Sequence, residues 1–278
     1  MSRVQLVVTG RCEELALHDS LRQLFPETEF LRPIRLDPFT SNPLTEPPAH
    51  GVRETAYKFA AKLVERVDTL EDTLVVGVED QEFETTPALQ VDVLRRAVLS
   101  VLAEPPSSSR RERLAQQVAE RCSFHLLVPM VEAYFFGDPA ALERAGAKRV
   151  SALEPSSRDV EAFLVEDAAF AAPADTDTKD DWCRGGALRA VHPKRYLKFL
   201  SGNGQPGNWK YRESRGGAAA LRQLDWPRVA ANPQFTQSAR ALVADVADWL
   251  NVSNPLPGSE RELTARHTTR VERILRNA

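Results

Sequence analysis

The sequence predicts an α/β fold: a three-layer domain with a mainly parallel sheet, followed by a helical C-terminal region. Three observations predict it. Short apolar runs at residues 4–8, 73–78 and 124–128 end in turn-forming or polar residues. Amphipathic helical patterns lie between them. Strand and helix patterns alternate through residues 1–147, as they do where helices cover both faces of a parallel sheet.

Val4 to Val8 reads as a buried strand ended by Gly10. Glu13 to Phe25 reads as a helix with Leu17, Leu21 and Leu24 on one face, stopped by Pro26. Phe30 to Leu36 reads as an edge strand, because Pro33 has no N–H to give to a ladder. Residues 37–50 hold four prolines (38, 43, 47 and 48) and read as a loop.

Arg53 to Val67 carries Ala56, Phe59, Ala60, Leu63, Val64 and Val67 at helical spacing. Thr73 to Val78, "TLVVGV", is a second buried strand, and Pro87 to Leu102 a further helix. "EPPSSSRRER" reads as a linker before a helix that runs to Cys122. "FHLLV", Phe124 to Val128, is a third strand. "PMVEAYFFGDPAALERAG" then begins a helix with Pro129 near its first turn. Ala239 to Leu250 is helical, "NPLPG" breaks it, and Glu260 to Arg276 reads as a charged terminal helix. The expected division is an α/β domain at 1–150. Residues 151–278 form an acidic and basic loop segment plus C-terminal helices packed on that domain.

Composition excludes some classes. A net charge of −3 over 278 residues gives no global drive toward nucleic acid or membrane. No apolar run reaches membrane-spanning length, and the N-terminal one is too short for a signal peptide. Cys12, Cys122 and Cys183 are odd in number and far apart, so they suggest neither a disulfide framework nor a zinc site. A reduced, cytoplasmic protein is the expectation.

Sites on parallel sheets lie beyond the carboxyl ends of the strands. Acids follow three strand ends here: Glu13 and Glu14; Glu79, Asp80 and Glu82; Glu132 and Asp138. Carboxylates gathered this way suit a hard divalent cation such as magnesium. They are equally the polar loop residues and helix N-terminal acids of any such fold.

Residues 153–181 hold nine acidic and two basic side chains, whereas 184–215 hold eight basic and one acidic. The basic stretch includes Lys194, Arg195, Lys198, Lys210 and Arg212, with Trp209 and Tyr211 among them. Cations mixed with aromatics can hold phosphates and stack bases. They can also simply pair with the acidic segment upstream. "DTDTKDD", Asp175 to Asp181, lacks the glycine of a calcium loop and reads as an acidic loop. No HExxH pair, P-loop or serine-nucleophile motif is present in the sequence.

Taken in order, several motifs resemble an uncharacterised bacterial Toprim-like family related to overcoming-lysogenization-defect nuclease domains. "VVTGRCEE" resembles its V-E-G-x-T-E-E opening, and "LVVGVEDQE" a strand ending in D-x-D. "MVEAYFFGDPAAL" resembles E-x-E-A-W-x-x-A-D-P. "HPKRYLKFL", "YRESRGGAAALRQLDW" and "NPQFTQSARALVADVADWL" resemble later blocks, so the likeness spans about residues 4–250. The resemblance implies a Toprim-like 1–150 domain. It also implies magnesium-dependent phosphodiester cleavage of DNA or RNA, and an ABC-type or SMC-like ATPase partner in defence-type systems. It assigns catalysis to Glu13, Asp80 and Glu82 and metal binding to Asp80, Glu82 and Glu132. Lys194, Arg195, Lys198, Lys210 and Arg212 would bind nucleic acid.

The departures matter. Thr9 stands where the motif has its first glutamate, D-x-D becomes "EDQE", and Tyr134 and Gly137 replace a tryptophan and an alanine. A threonine hydroxyl cannot take a proton as a carboxylate does. Two readings follow: a degenerate subunit that binds a partner or nucleic acid without cutting, and a magnesium-dependent nuclease with a rearranged carboxylate set.

Overall fold

The computed structural model describes residues 2–39, 54–83, 85–154, 158–171, 189–202, 211–259 and 274–278. Lys210, Cys183, Asp175 to Asp181 and most of the terminal segment read as a helix lie outside the described residues.

A parallel sheet stands at the centre, built from β1 (Arg3–Val8), β2 (Glu29–Phe30), β3 (Ile34–Arg35), β4 (Thr73–Asp80) and β5 (Cys122–Leu127). β1 pairs with β4 at Val8↔Val78, and β4 with β5 at Val78↔His125. The three apolar runs are therefore neighbours in one sheet. The predicted edge strand is split in two: β2 and β3 both pair with the outer side of β1, on either side of Pro33. In the gap, the Gln5 side-chain amide donates to Arg32 O at 2.9 Å and replaces the missing ladder.

The pleat sends alternate residues to opposite faces. Val4, Leu6, Val8, Leu74, Val76 and Val78 join a core with α1 (Arg11–Leu24) and with residues from Leu127 onward to Leu256. Val7, Val75 and Phe124 join a second core with α2 (Glu54–Thr69), α3 (Pro87–Ala103) and α4 (Ser108–Arg121). Each fully buried leucine or valine contributes about 2 kcal/mol of transfer free energy. Helices thus cover both faces, giving three layers. The first core contains residues from 1–150 and from 151–278 alike.

Three local differences from expectation have clear causes. The linker after α3 is shorter, because Ser107 caps α4 by accepting from Arg110 N at 3.2 Å. The helix expected from Pro129 is broken into 132–135 and 139–145. Asp138 accepts from Ala140 N at 3.0 Å and Pro139 opens the new helix, a start signal inside an apolar run. At the other end, residues 274–276 are not helical. Arg276 N donates to Cys122 O at 2.7 Å, Leu275 is buried in the second core, and the Asn277 amide pairs with both backbone groups of Phe124. This tail covers the open edge of β5. Among the described residues, no helix is long and apolar enough to cross a membrane.

Candidate functional site

Beyond the carboxyl ends of β1 and β4 lies a cleft of about 90 Å³, with room for several waters. Thr9, Gly10, Cys12, Glu13, Glu79, Asp80, Glu82, Glu132, Lys194 and Glu213 line it. The sheet thus brings together the acids of three successive strand ends. Glu14 and Asp138 stand elsewhere: Glu14 pairs with Arg11 and Arg35, and Asp138 caps a helix and pairs with Arg144.

Each acid is placed by its local backbone. Thr9 follows β1 directly and is buried, in the same cleft as Asp80 and Glu82. Glu13 sits in the first turn of α1 and is buried, its carboxylate folded back over Gly10. A Cβ on Gly10 would meet that carboxylate, so a side chain there would push Glu13 out of its present place. Asp80 ends β4 on the first-core face, where its Oδ1 accepts from Val131 N at 2.9 Å. Glu79 points to the other face, and its Oε1 accepts from Phe39 N at 3.1 Å. Glu82 takes a left-handed backbone, φ +58°, in the turn after the strand. Glu132 opens the short helix after β5 and is 1% exposed.

The C-terminal region closes the cleft. Lys194, in the first turn of the 193–201 helix, points inward: its Nζ lies 2.6 Å from Glu213 Oε1 and 3.7 Å from Glu132 Oε1. The Tyr211 hydroxyl donates to Glu132 Oε1 at 2.9 Å. Gly217 makes this approach possible, because a side chain there would strike the Tyr211 hydroxyl.

The electrostatics follow from burial. Burial first, then the charge of Glu132, pushes the Glu13 carboxyl up to about 7. Burial, then Glu13 and Glu132, raises Asp80 well above the usual carboxylate range. Burial works against the Lys194 ammonium, but Glu132 and Glu213 outweigh it and hold the lysine charged. Buried like charges in one cleft cost stability, and such clusters gather at functional sites.

No protein-family model, curated protein or solved structure matches this chain.

Carboxylates dominate the donor set of the cleft, with the Cys12 thiol beside them, and carboxylate oxygens suit magnesium in chemistry. The placement of this set does not fit the ion. Among the described residues no three His, Cys, Asp or Glu side chains are set to hold a metal, and Lys194 already brings a positive charge to Glu132 and Glu213.

The basic residues divide. Lys194 is turned into the cleft, Arg195 is buried, Lys198 is half-buried, and Arg212 is exposed beside Glu213. Sequence reasoning missed Glu213 and the pairing of Tyr211 with Glu132. The signal for Glu213 was there: it is the one acid among residues 184–215.

Proposed function

We propose that this chain is a degenerate Toprim-like subunit of a bacterial defence-type or DNA-maintenance system, cytoplasmic, that binds nucleic acid without cutting it. The carrying observation is the Lys194 ammonium between Glu132 and Glu213, in the cleft where the resembled fold holds magnesium. Thr9 at the end of β1 supports the same reading, since a hydroxyl cannot serve as the missing carboxylate. Exposed Arg212 and Arg215, on the segment that carries Glu213, present positive charge for a phosphate backbone. An ABC-type or SMC-like ATPase is the partner this reading proposes.

The runner-up is a magnesium-dependent nuclease. One observation favours it: Glu13, Asp80, Glu82 and Glu132 all line one cleft.

Titration of labelled single- and double-stranded DNA and RNA, with and without magnesium or manganese, separates the two. Binding without cleavage is expected. Arg212→Ala and Arg215→Ala should weaken it and flatten its salt dependence by about 0.9 per lost duplex phosphate contact. Absence of binding to every probe would overturn the proposal. Robust cleavage that disappears with Asp80→Ala would establish the nuclease instead.

A further inference from the structure

We propose that the outer edge of β5 and the 237–250 helix form a docking site for a partner protein whose surface turn presents leucine, arginine and asparagine in succession, and that Leu275, Arg276 and Asn277 fill this site in cis. The proposal goes beyond the nucleic-acid reading and does not depend on it.

Each of the three side chains has its own place. Leu275 is buried in the second core. The Arg276 guanidinium is engaged at every nitrogen. Its Nε donates to Asp245 Oδ1 at 2.9 Å, its Nη2 pairs with Asp248, and its Nη1 donates to Glu120 O at 3.2 Å. Its Cζ also lies over the Trp249 ring, 5.8 Å from the centroid, within reach of the ring's negative face. Asn277 accepts from Phe124 N at 3.0 Å and donates to Phe124 O at 2.7 Å. Leu275 N donates to Ala278 O at 2.7 Å, so the segment is a turn that presents side chains and not an added strand.

The receiving groups stand on three separate elements: Glu120 on α4, Phe124 on β5, and Asp245, Asp248 and Trp249 on the 237–250 helix. Those elements are joined to the rest of the fold by their own packing, since Val118 of α4 and Phe124 lie in the second core and Val246 in the first. Without Arg276, a carboxylate only 12% exposed would lose its guanidinium. Without Asn277, both outward backbone groups of Phe124 would lose their partner. Buried polar groups left in this way are costly, so an emptied site keeps its demand for the same side chains. Lysine would not serve in place of arginine. Its ammonium is a point charge and lacks the planar fork that reaches two carboxylates and a carbonyl at once.

The test uses the full chain and a fluorescent peptide of residues 270–278, read by anisotropy. Leu275→Ala, Arg276→Ala and Asn277→Ala together release the cis segment. This variant should bind the peptide about tenfold or more tightly than wild type, whose own segment competes from within the chain. A scrambled peptide of the same composition, and the peptide with Arg276→Ala, should bind the variant about tenfold or more weakly than the native peptide. If the variant is unfolded, the native peptide should refold it, as a ligand of the folded state does, and the scrambled one should not. The proposal is overturned if the folded variant binds the native peptide no more tightly than wild type does, or binds the scrambled peptide equally well. It is also overturned if an unfolded variant is not refolded by the native peptide.

Discussion

The Tyr211 hydroxyl donates to Glu132 Oε1 at 2.9 Å, joining the segment before 213–217 to the short helix after β5 across 79 residues of chain. Both side chains are buried. This bond and the Lys194 ion pairs hold the C-terminal region over the carboxyl ends of the strands, so cleft and cover form together.

Tyr211→Phe should therefore destabilise the protein by about 1.5–3 kcal/mol, the range for a hydrogen bond to a charged group. The loss should shrink in a Glu132→Gln background, where the acceptor is neutral. Urea unfolding of the two single variants and the double variant measures this coupling. An undiminished loss in that background would show that Tyr211 acts through packing alone.

Glu13 gives a pH dependence of defined sign. Its carboxyl lies at about 7 in the folded chain against an ordinary 4.5, so the folded state holds the proton more tightly. The stability from this group is fully present below about pH 4.5 and is lost as pH rises through 7. Glu13→Gln should match wild type near pH 4 and exceed it by about 3 kcal/mol near pH 8.5. Denaturation at the two pH values checks it; an equal difference at both would contradict the assignment.

His192 acts in the opposite direction. Burial, then Lys194 and Lys198, lowers its imidazole from 6.5 to about 3, and the Phe83 ring lies 5.0 Å away. The unfolded chain takes the proton first, so this stability is present above pH 6.5 and is lost as pH falls toward 3. His192→Gln should remove about 1.4 kcal/mol of stability loss per pH unit below 6.5. Parallel acid titrations of wild type and variant, followed by far-ultraviolet circular dichroism, would give equal slopes if the idea is wrong.

Asn277 replaces a neighbouring strand at the β5 edge. Its side chain accepts from Phe124 N at 3.0 Å and donates to Phe124 O at 2.7 Å. Asn277→Ala should cost about 1–3 kcal/mol and speed hydrogen exchange at the Phe124 amide. Unchanged exchange at that amide would show that the tail does not protect the edge.

The sequence by itself determined the layers and the position of the cleft. Apolar periods are local, so "RVQLVV", "TLVVGVED" and "CSFHLL" announce strands and the residues 54–69 announce a helix without knowledge of the rest of the chain. The rule that sites lie beyond parallel strand ends pointed to Glu13, Glu14, Glu79, Asp80, Glu82, Glu132 and Asp138, and the folded chain brings all of these but Glu14 and Asp138 to one cleft. Tertiary structure alone decided how that charge is balanced. Lys194 and Glu213 sit in a stretch that reads as solvated or phosphate-binding from its composition, yet the 193–201 helix is buried on most sides and turns Lys194 inward. Ion pairs and hydrogen bonds such as Lys194–Glu132 and Tyr211–Glu132 join residues more than sixty positions apart. Their energy depends on burial and distance, which no spacing rule carries, so only the folded chain could show a lysine between Glu132 and Glu213.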